Sequence, residues 1–402
     1  LSAPYDVIVV GGGPAASAFV LALSQRAPEL ARRTLVLEKA HHPREKYCGG
    51  AISAFGLEEL SALGYTLDVP HVPIDGFRVR YLDRASEHLR TGMGVVIRRN
   101  EFDASLWRAA GRTGAALHEG EAVQAIARDG ALWEVKTTRG RYLSRVLIGA
   151  DGAGSRVRKA LAFHEPRKPC RLYVLETEPT PSEAPSHTLE FDLSVVAEGI
   201  QGYYWDFPIV LDGKPAISRG VYHMNTTPRK DLKDVLKRAL ARRGVDPERV
   251  VYKPFSERGY VHGAEISRPG VLLIGEAAGI DVVTGEGIAH AVVYARVAAG
   301  VVAQGLASGS LHFESYGALM RSTLMVQHLR QSALLAPHVY GKRRELFARF
   351  LSTQPEVVAA CAEWYEGRPL STTRMLGIGL ELAKSFATAK QRPTEAHSSS
   401  AM

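Results

Sequence analysis

Gly11, Gly13 and Ala16 close a short apolar run and open a helical pattern, with the G-x-G-x-x-A spacing that lets backbone approach a pyrophosphate. The first glycine permits a tight turn and the second leaves room for the diphosphate. The small third residue lets helix and strand pack closely. The first turn of that helix, from Pro14 and Ala15, carries the amides and the positive dipole end that hold an anion. Glu38, with Lys39 behind it, ends the next strand pattern, where a carboxylate can accept both hydroxyls of a ribose. This is dinucleotide chemistry, and its structural alternative is a glycine turn that binds nothing.

Such residues need a βαβ unit to position them, and the surrounding pattern supplies one. The run DVIVV at 6–10 reads as a strand, Phe19, Val20 and Leu23 share one helical face, and TLVLE at 34–38 reads as a second strand. Consecutive strands joined by a helix imply a parallel sheet. A helix is predicted over 104–112 and a strand pair over 133–137 and 142–148. The stretch 171–222 is strand-rich and broken by Pro179, Pro181 and Pro185, as in an antiparallel sheet. Leu232, Val235, Leu236, Ala239 and Leu240 mark an amphipathic helix over 231–242. VLLI at 271–274 returns to a buried strand, and a long helix starts near Gly287. The stretch 313–390 reads as helical with breaks at Pro337, Pro355 and Pro369, and the polar run 391–402 as a disordered tail.

Composition removes several classes. The chain has 402 residues, 46% hydrophobic and 23% charged, enough for two or three domains with a substantial core. The most apolar long stretch, 289–307, is interrupted by Arg296 and two glycines, so no membrane span is expected. No basic-then-apolar leader opens the sequence, and three scattered cysteines (Cys48, Cys170, Cys361) make neither a disulfide framework nor a zinc site. A cytoplasmic location follows, with peripheral contact at a membrane left open. The net charge of +8 suits solubility or attraction to an anion, whether a dinucleotide, a diphosphate or an acidic membrane surface. No long basic run with interleaved aromatics is present, which argues against a nucleic-acid partner. His41-His42 lacks a third metal ligand at useful spacing and reads as a solvated loop.

Three further segments narrow the dinucleotide. IGADGAGSRVR at 148–158, GEAAG at 275–279 and TGEGI at 284–288 resemble, with the N-terminal fingerprint, the three FAD motifs of the flavoprotein superfamily of aromatic hydroxylases, flavin halogenases and geranylgeranyl reductases. The resemblance implies FAD. Arg99, followed by Phe102-Asp103 and Leu106, is similar to a family segment whose arginine lies near the flavin phosphate and ribityl chain. Val123 would meet the adenine through its backbone. Asp151 and Gly152 carry the second motif. Gly275 and Glu276 carry the third, with glutamate where the family usually has the aspartate that bonds the ribityl chain. Gly285, Gly287 and Ile288 would present amides to the flavin N1–C2=O edge.

Two segments resemble the geranylgeranyl reductase branch. Cys48-Gly49-Gly50 is similar to the reductases' Cys-Gly-Gly beside the isoalloxazine, and Tyr203-x-Trp205-x-Phe207-Pro208 matches a strand that lines their substrate cavity. On residue type alone, Cys48 is a small buried hydrophobe and the aromatic strand is core. The resemblance implies α/β plus β architecture: a discontinuous Rossmann-like FAD-binding domain (1–73, 95–165 and 255–310), an antiparallel β substrate domain (74–94 and 166–254) and a helical C-terminal segment (311–390). It implies reduction of C=C bonds in a prenyl-type substrate by hydride from reduced flavin N5. Tyr203, Trp205 and Phe207 would line the pocket, and Cys48, Tyr203 or a water would donate or position the proton. The alternative is a monooxygenase working through a flavin hydroperoxide on an aromatic, quinone or other natural-product ring. A halogenase, whose Trp-x-Trp-x-Ile-Pro segment fits at only two of four fixed positions, and a non-catalytic flavin-binding or membrane-tethered protein complete the readings. The reductant is NAD(P)H or a protein donor, the partner a hydrophobic small molecule, and the oligomeric state is not written in the sequence.

Overall fold

The computed structural model describes residues 3–46, 48–164, 169–227 and 231–390; the 391–402 tail and Tyr47 lie outside it. Two eight-stranded sheets carry the fold. In the first, Val271–Leu273, Arg141–Gly149, Tyr5–Val10, Thr34–Leu37 and Ala116–His118 lie side by side in parallel. Their apolar runs are buried on both faces, the usual price of parallel pairing under crossover helices. The hairpin Val123–Asp129 with Leu132–Thr137 adds to the edge of Arg141–Gly149.

Helix Pro14–Arg26 leaves the first strand and is buried over its first ten residues. It packs along helix Ile288–Ser308. That second helix is long and apolar enough to cross a membrane by composition, but here most of it is buried as a core helix. Both helices start beside the carboxyl ends of the parallel strands, the end at which open α/β sheets take their ligands.

The second sheet runs Lys253–Glu257, Cys170–Thr177, Lys214–His223, Gly202–Leu211, Thr188–Asp192, His71–Tyr81, Arg84–Ile97 and Ala51–Ser53. It is antiparallel except where Thr188–Asp192 pairs in parallel with His71–Tyr81. Period-two alternation along Gly202–Leu211 puts Tyr203, Trp205 and Phe207 in one hydrophobic cluster and Tyr204 in another. On the Tyr204 side, Asp206 accepts from the Tyr204 hydroxyl at 2.6 Å and from Arg219 at 2.8 Å. Helix Leu232–Arg242 covers that side with the apolar face its sequence spacing predicts.

The structure moves several expected boundaries. Residues 51–53, 71–73, 95–97 and 255–257, expected in the FAD-binding part, are strand residues of the second sheet. The cause is strand length: His71–Tyr81 and Arg84–Ile97 form one long hairpin that runs past the domain seam. The helix expected from 104 begins at Arg99. Pro337 does not break its helix. It lies in the last turn of Leu324–Val339, so the one hydrogen bond it removes is at the helix end and no turn follows to be kinked, whereas Pro355 starts helix Pro355–Tyr365. Helix Thr372–Lys390 follows Pro369 and is largely exposed over its described side chains.

Candidate active site

One cavity of about 840 Å³ runs from the N-terminal glycine turn to the aromatic strand. Gly11, Gly13, Pro14, Ala15, Glu38, Lys39, Cys48, Gly49, Arg99, Val123, Asp151, Gly152, Tyr203, Trp205, Phe207, Glu276, Gly285, Gly287 and Ile288 all line it, drawn together from both sheets and the loops and helix starts between their strands. Two expected residues do not. Ala16 is fully buried in the first helix, where its size serves packing. Gly275 lies behind the wall: at φ +58°, a Cβ there would sit 2.7 Å from the Ala15 Cβ.

The glycine turn is built by close approach. Gly11 has φ +104°, and a Cβ on it would fall 2.4 Å from the Ala150 carbonyl oxygen. A Cβ on Gly13 would meet only Arg44 Nη2, at 3.3 Å. Glu38 is buried and accepts from the Gly12 amide at 2.7 Å and the Ala40 amide at 2.9 Å. Sequence reasoning missed Arg44, which no motif flags. Its Nη2 bonds Asp103 at 2.9 Å, and its buried Nε makes no hydrogen bond, lying 3.9 Å from Glu38 Oε2. His42 is also corrected: its ring is 3% exposed, stacks on Trp107 at 4.8 Å, and lies 3.1 Å from the Gly12 carbonyl oxygen. It buttresses the turn rather than facing solvent. Among the described residues no side-chain cluster could hold a metal ion.

In the middle of the cavity Asp151 Oδ2 accepts from the Arg156 and Val157 amides at 2.6 and 3.2 Å, so it caps helix Arg156–Ala160. Its Oδ1 is unpartnered, as is Glu276 Oε1. Burial pushes the Asp151 carboxyl up. Arg99 clasps Asp103 with bonds of 2.7 and 2.9 Å on one helical face and also reaches the Cys48 thiol. These groups fit FAD: a glycine turn and Arg44 for the diphosphate, and orphaned carboxylate oxygens for ribityl hydroxyls.

At the far end, the 284–288 turn is held from below by Asp281, which accepts from the Val283 and Thr284 amides at 3.1 and 2.9 Å. Glu286 Oε1 accepts from the Ala289 amide at 2.7 Å, capping helix Ile288–Ser308. Burial raises the Glu286 carboxyl to about 7. Opposite the turn, Gly49 packs on the aromatic strand, since a Cβ there would sit 2.9 Å from the Phe207 ring. Ser218 Oγ donates to the Cys48 carbonyl oxygen at 3.1 Å and locks this segment to the second sheet. Burial pushes the Cys48 thiol up, against the pull of Arg99, so the sulfur keeps its proton. Phe191, edge-on to Phe207 with ring centroids 5.1 Å apart, and Tyr365 complete the aromatic wall; neither stands in a motif. The Tyr203 hydroxyl donates to the Thr284 carbonyl oxygen.

Known proteins share the family and the fold of this chain. The FAD dependent oxidoreductase (DAO) family description matches residues 76–304, more than half of the chain. A digeranylgeranylglycerophospholipid reductase of Methanopyrus kandleri is 28% identical over 75% of this chain and 78% of its own length. A geranylgeranyl bacteriochlorophyll reductase-like structure from Thermoplasma acidophilum superposes with TM-score 0.67 at 20% identity, covering 96% of this chain and 97% of that one. The p-nitrophenol 4-monooxygenase of Pseudomonas putida superposes equally well, TM-score 0.68 at 16% identity over 90% of this chain and 98% of that one. The fold is therefore shared with a reductase-like protein and with a monooxygenase.

Proposed function

Because the chain belongs to the FAD-dependent oxidoreductase family, we propose that it reduces carbon–carbon double bonds of a prenyl-type substrate. FAD, when reduced and bound, supplies the hydride. The observation that carries the reading is the packing of Gly49 on Phe207, which joins the Cys48-Gly49-Gly50 segment and the aromatic strand into one wall. An aliphatic chain with few polar groups suits Phe191, Tyr203, Trp205, Phe207 and Tyr365, all buried or nearly so. The 28% identity to a digeranylgeranylglycerophospholipid reductase supports the same substrate class.

The chain's own groups take distinct parts. Gly11, Gly13, Arg44 and the first turn from Pro14 bind the diphosphate of the cofactor. Glu38 would accept ribose hydroxyls, and the unpartnered oxygens of Asp151 and Glu276 would accept from the ribityl chain. Arg99, neutralised by Asp103, fixes the Cys48 thiol at the ring end. The aromatic wall excludes water and orients the alkene. Cys48 holds a proton at Sγ, and Tyr203 positions the 284–288 turn.

The test is anaerobic. The FAD-loaded protein is reduced with dithionite and mixed with geranylgeranyl diphosphate without oxygen. Reoxidation of the flavin, with a product heavier by one H₂, is expected. A flavin that stays reduced until oxygen is admitted, with oxygen then entering an aromatic or quinone substrate, would replace this reading by the monooxygenase.

A further inference from the structure

The aromatic end of the cavity holds a carboxyl group that no motif supplies. Glu257 closes strand Lys253–Glu257, an edge strand of the second sheet, and lines the cavity. A Cβ built on Gly285 would lie 3.0 Å from Glu257 Oε2 and 3.6 Å from the Tyr203 hydroxyl, so carboxyl and phenol flank the same point of the turn. Oε2 is buried and has no hydrogen-bond partner. The charged groups that act on it most strongly are the acids Glu276, Asp281 and Glu286 and the cation Lys46, with Arg99 and Arg171 on the same cavity lining. Cys48, Cys170, Tyr203 and Tyr222 are the neutral titratable groups that feel its charge. Burial, followed by repulsion from Glu276, raises the carboxyl to about 8, so it carries its proton at neutral pH.

The other candidates for an acid here are weaker. The Tyr203 hydroxyl is committed to the Thr284 carbonyl, and burial holds its phenol well above the ordinary value. The Cys48 thiol is pushed up from an already higher starting point. The Glu286 carboxylate is bound to its helix N-terminus.

We propose that Glu257 is the proton donor of the reduction, giving its carboxyl proton to the alkene carbon that does not receive the hydride. The proposal rests on the reductase reading above. The balance closes: the π electron pair forms the bond to the proton, and the hydride supplied by the reduced cofactor fills the vacancy at the neighbouring carbon. The alkene is reduced, the cofactor is oxidised, and Glu257 is left as a carboxylate. Solvent reprotonates it, driven by the surrounding negative charge. An isolated alkene is a poor hydride acceptor, so a positioned acid is what the chemistry lacks without this residue.

Two measurements on the FAD-loaded protein test this. In infrared difference spectra of wild type minus Glu257→Gln, a protonated-carboxyl C=O band is expected at pH 7, titrating away near pH 8. In anaerobic single turnovers with geranylgeranyl diphosphate, Glu257→Gln is expected to slow reduction by about 100-fold at unchanged FAD content. Glu257→Asp should restore part of the rate and the fall in rate above about pH 8. Absence of the band at pH 7, or a Glu257→Gln rate within about three-fold of wild type, overturns the proposal. A wild type that shows the band and binds the diphosphate yet never reduces it overturns the reductase reading instead, and the donor role falls with it.

Discussion

The Tyr203 hydroxyl donates to the main-chain carbonyl of Thr284, joining the aromatic strand of the second sheet to the turn that starts the longest helix of the first. Tyr222, on the neighbouring strand, does the same to the Val282 carbonyl at 3.0 Å, so two phenols of the second sheet hold this turn at the edge of the cavity. Tyr203→Phe deletes the donor and leaves the ring stacked on Tyr222, 5.5 Å away. The expected cost is about 1 kcal/mol of stability, seen by denaturant titration, with weaker FAD binding. The pH–rate profile should keep its shape, because the phenol acts by positioning the turn.

Gly49→Ala tests the shared wall. Its φ is ordinary, so the strain is spatial: the new methyl would press on Phe207 at 2.9 Å. Overpacking of this kind costs about 1–3 kcal/mol unless the ring swings away. The expected result is reduced turnover with a raised KM for long prenyl substrates and a smaller effect on short ones, read from steady-state kinetics across chain lengths.

Asp103 neutralises two arginines, Arg44 at 2.9 Å and Arg99 at 2.7 Å, with its own side chain fully buried. Asp103→Ala leaves both cations without their carboxylate, a change that costs about 3 kcal/mol or more. Added FAD should recover part of the lost thermal stability, since its diphosphate brings anionic charge to Arg44. A melting temperature that does not respond to FAD would count against Arg44 as a phosphate ligand.

The buried acids make stability depend on pH. Glu257, raised to about 8, and Glu286, raised to about 7, bind protons more tightly folded than unfolded. Their contribution is fully present below the ordinary carboxylate value and is lost as pH rises through 7 and 8. The FAD-free protein should therefore unfold at lower denaturant concentration at pH 9 than at pH 6, and Glu257→Gln with Glu286→Gln should flatten that slope.

Much of the cofactor end is local in sequence, and so it was legible: one strand, one glycine turn and one helix supply Gly11, Gly13 and Pro14. The aromatic strand was legible through the resemblance of its Tyr203-x-Trp205-x-Phe207-Pro208 spacing, and the structure puts the three rings in one cluster. Arg44 and Glu257 were not. Each reaches the cavity through tertiary placement: Arg44 through a loop folded back on Asp103, Glu257 through an edge strand paired with Cys170–Thr177. Tyr365 arrives from a C-terminal helix with no recognisable spacing. That 71–73 and 95–97 pair in the second sheet was not legible either, because a β-hairpin carries no mark of where it crosses from one layer to the next.

Helices Pro14–Arg26 and Ile288–Ser308 both begin at the cavity and pack along one another, so their partial positive ends lie side by side. Pro14–Arg26 has no acidic residue in its first turn, and at the start of Ile288–Ser308 the Glu286 cap is a carboxyl raised to about 7 by burial. Parallel dipoles repel, and this pair forms the centre of the first core. An anionic dinucleotide is thus a counter-ion as well as a reagent: it relieves a built-in opposition at the heart of the molecule, and holding cofactor becomes part of how the chain stays folded.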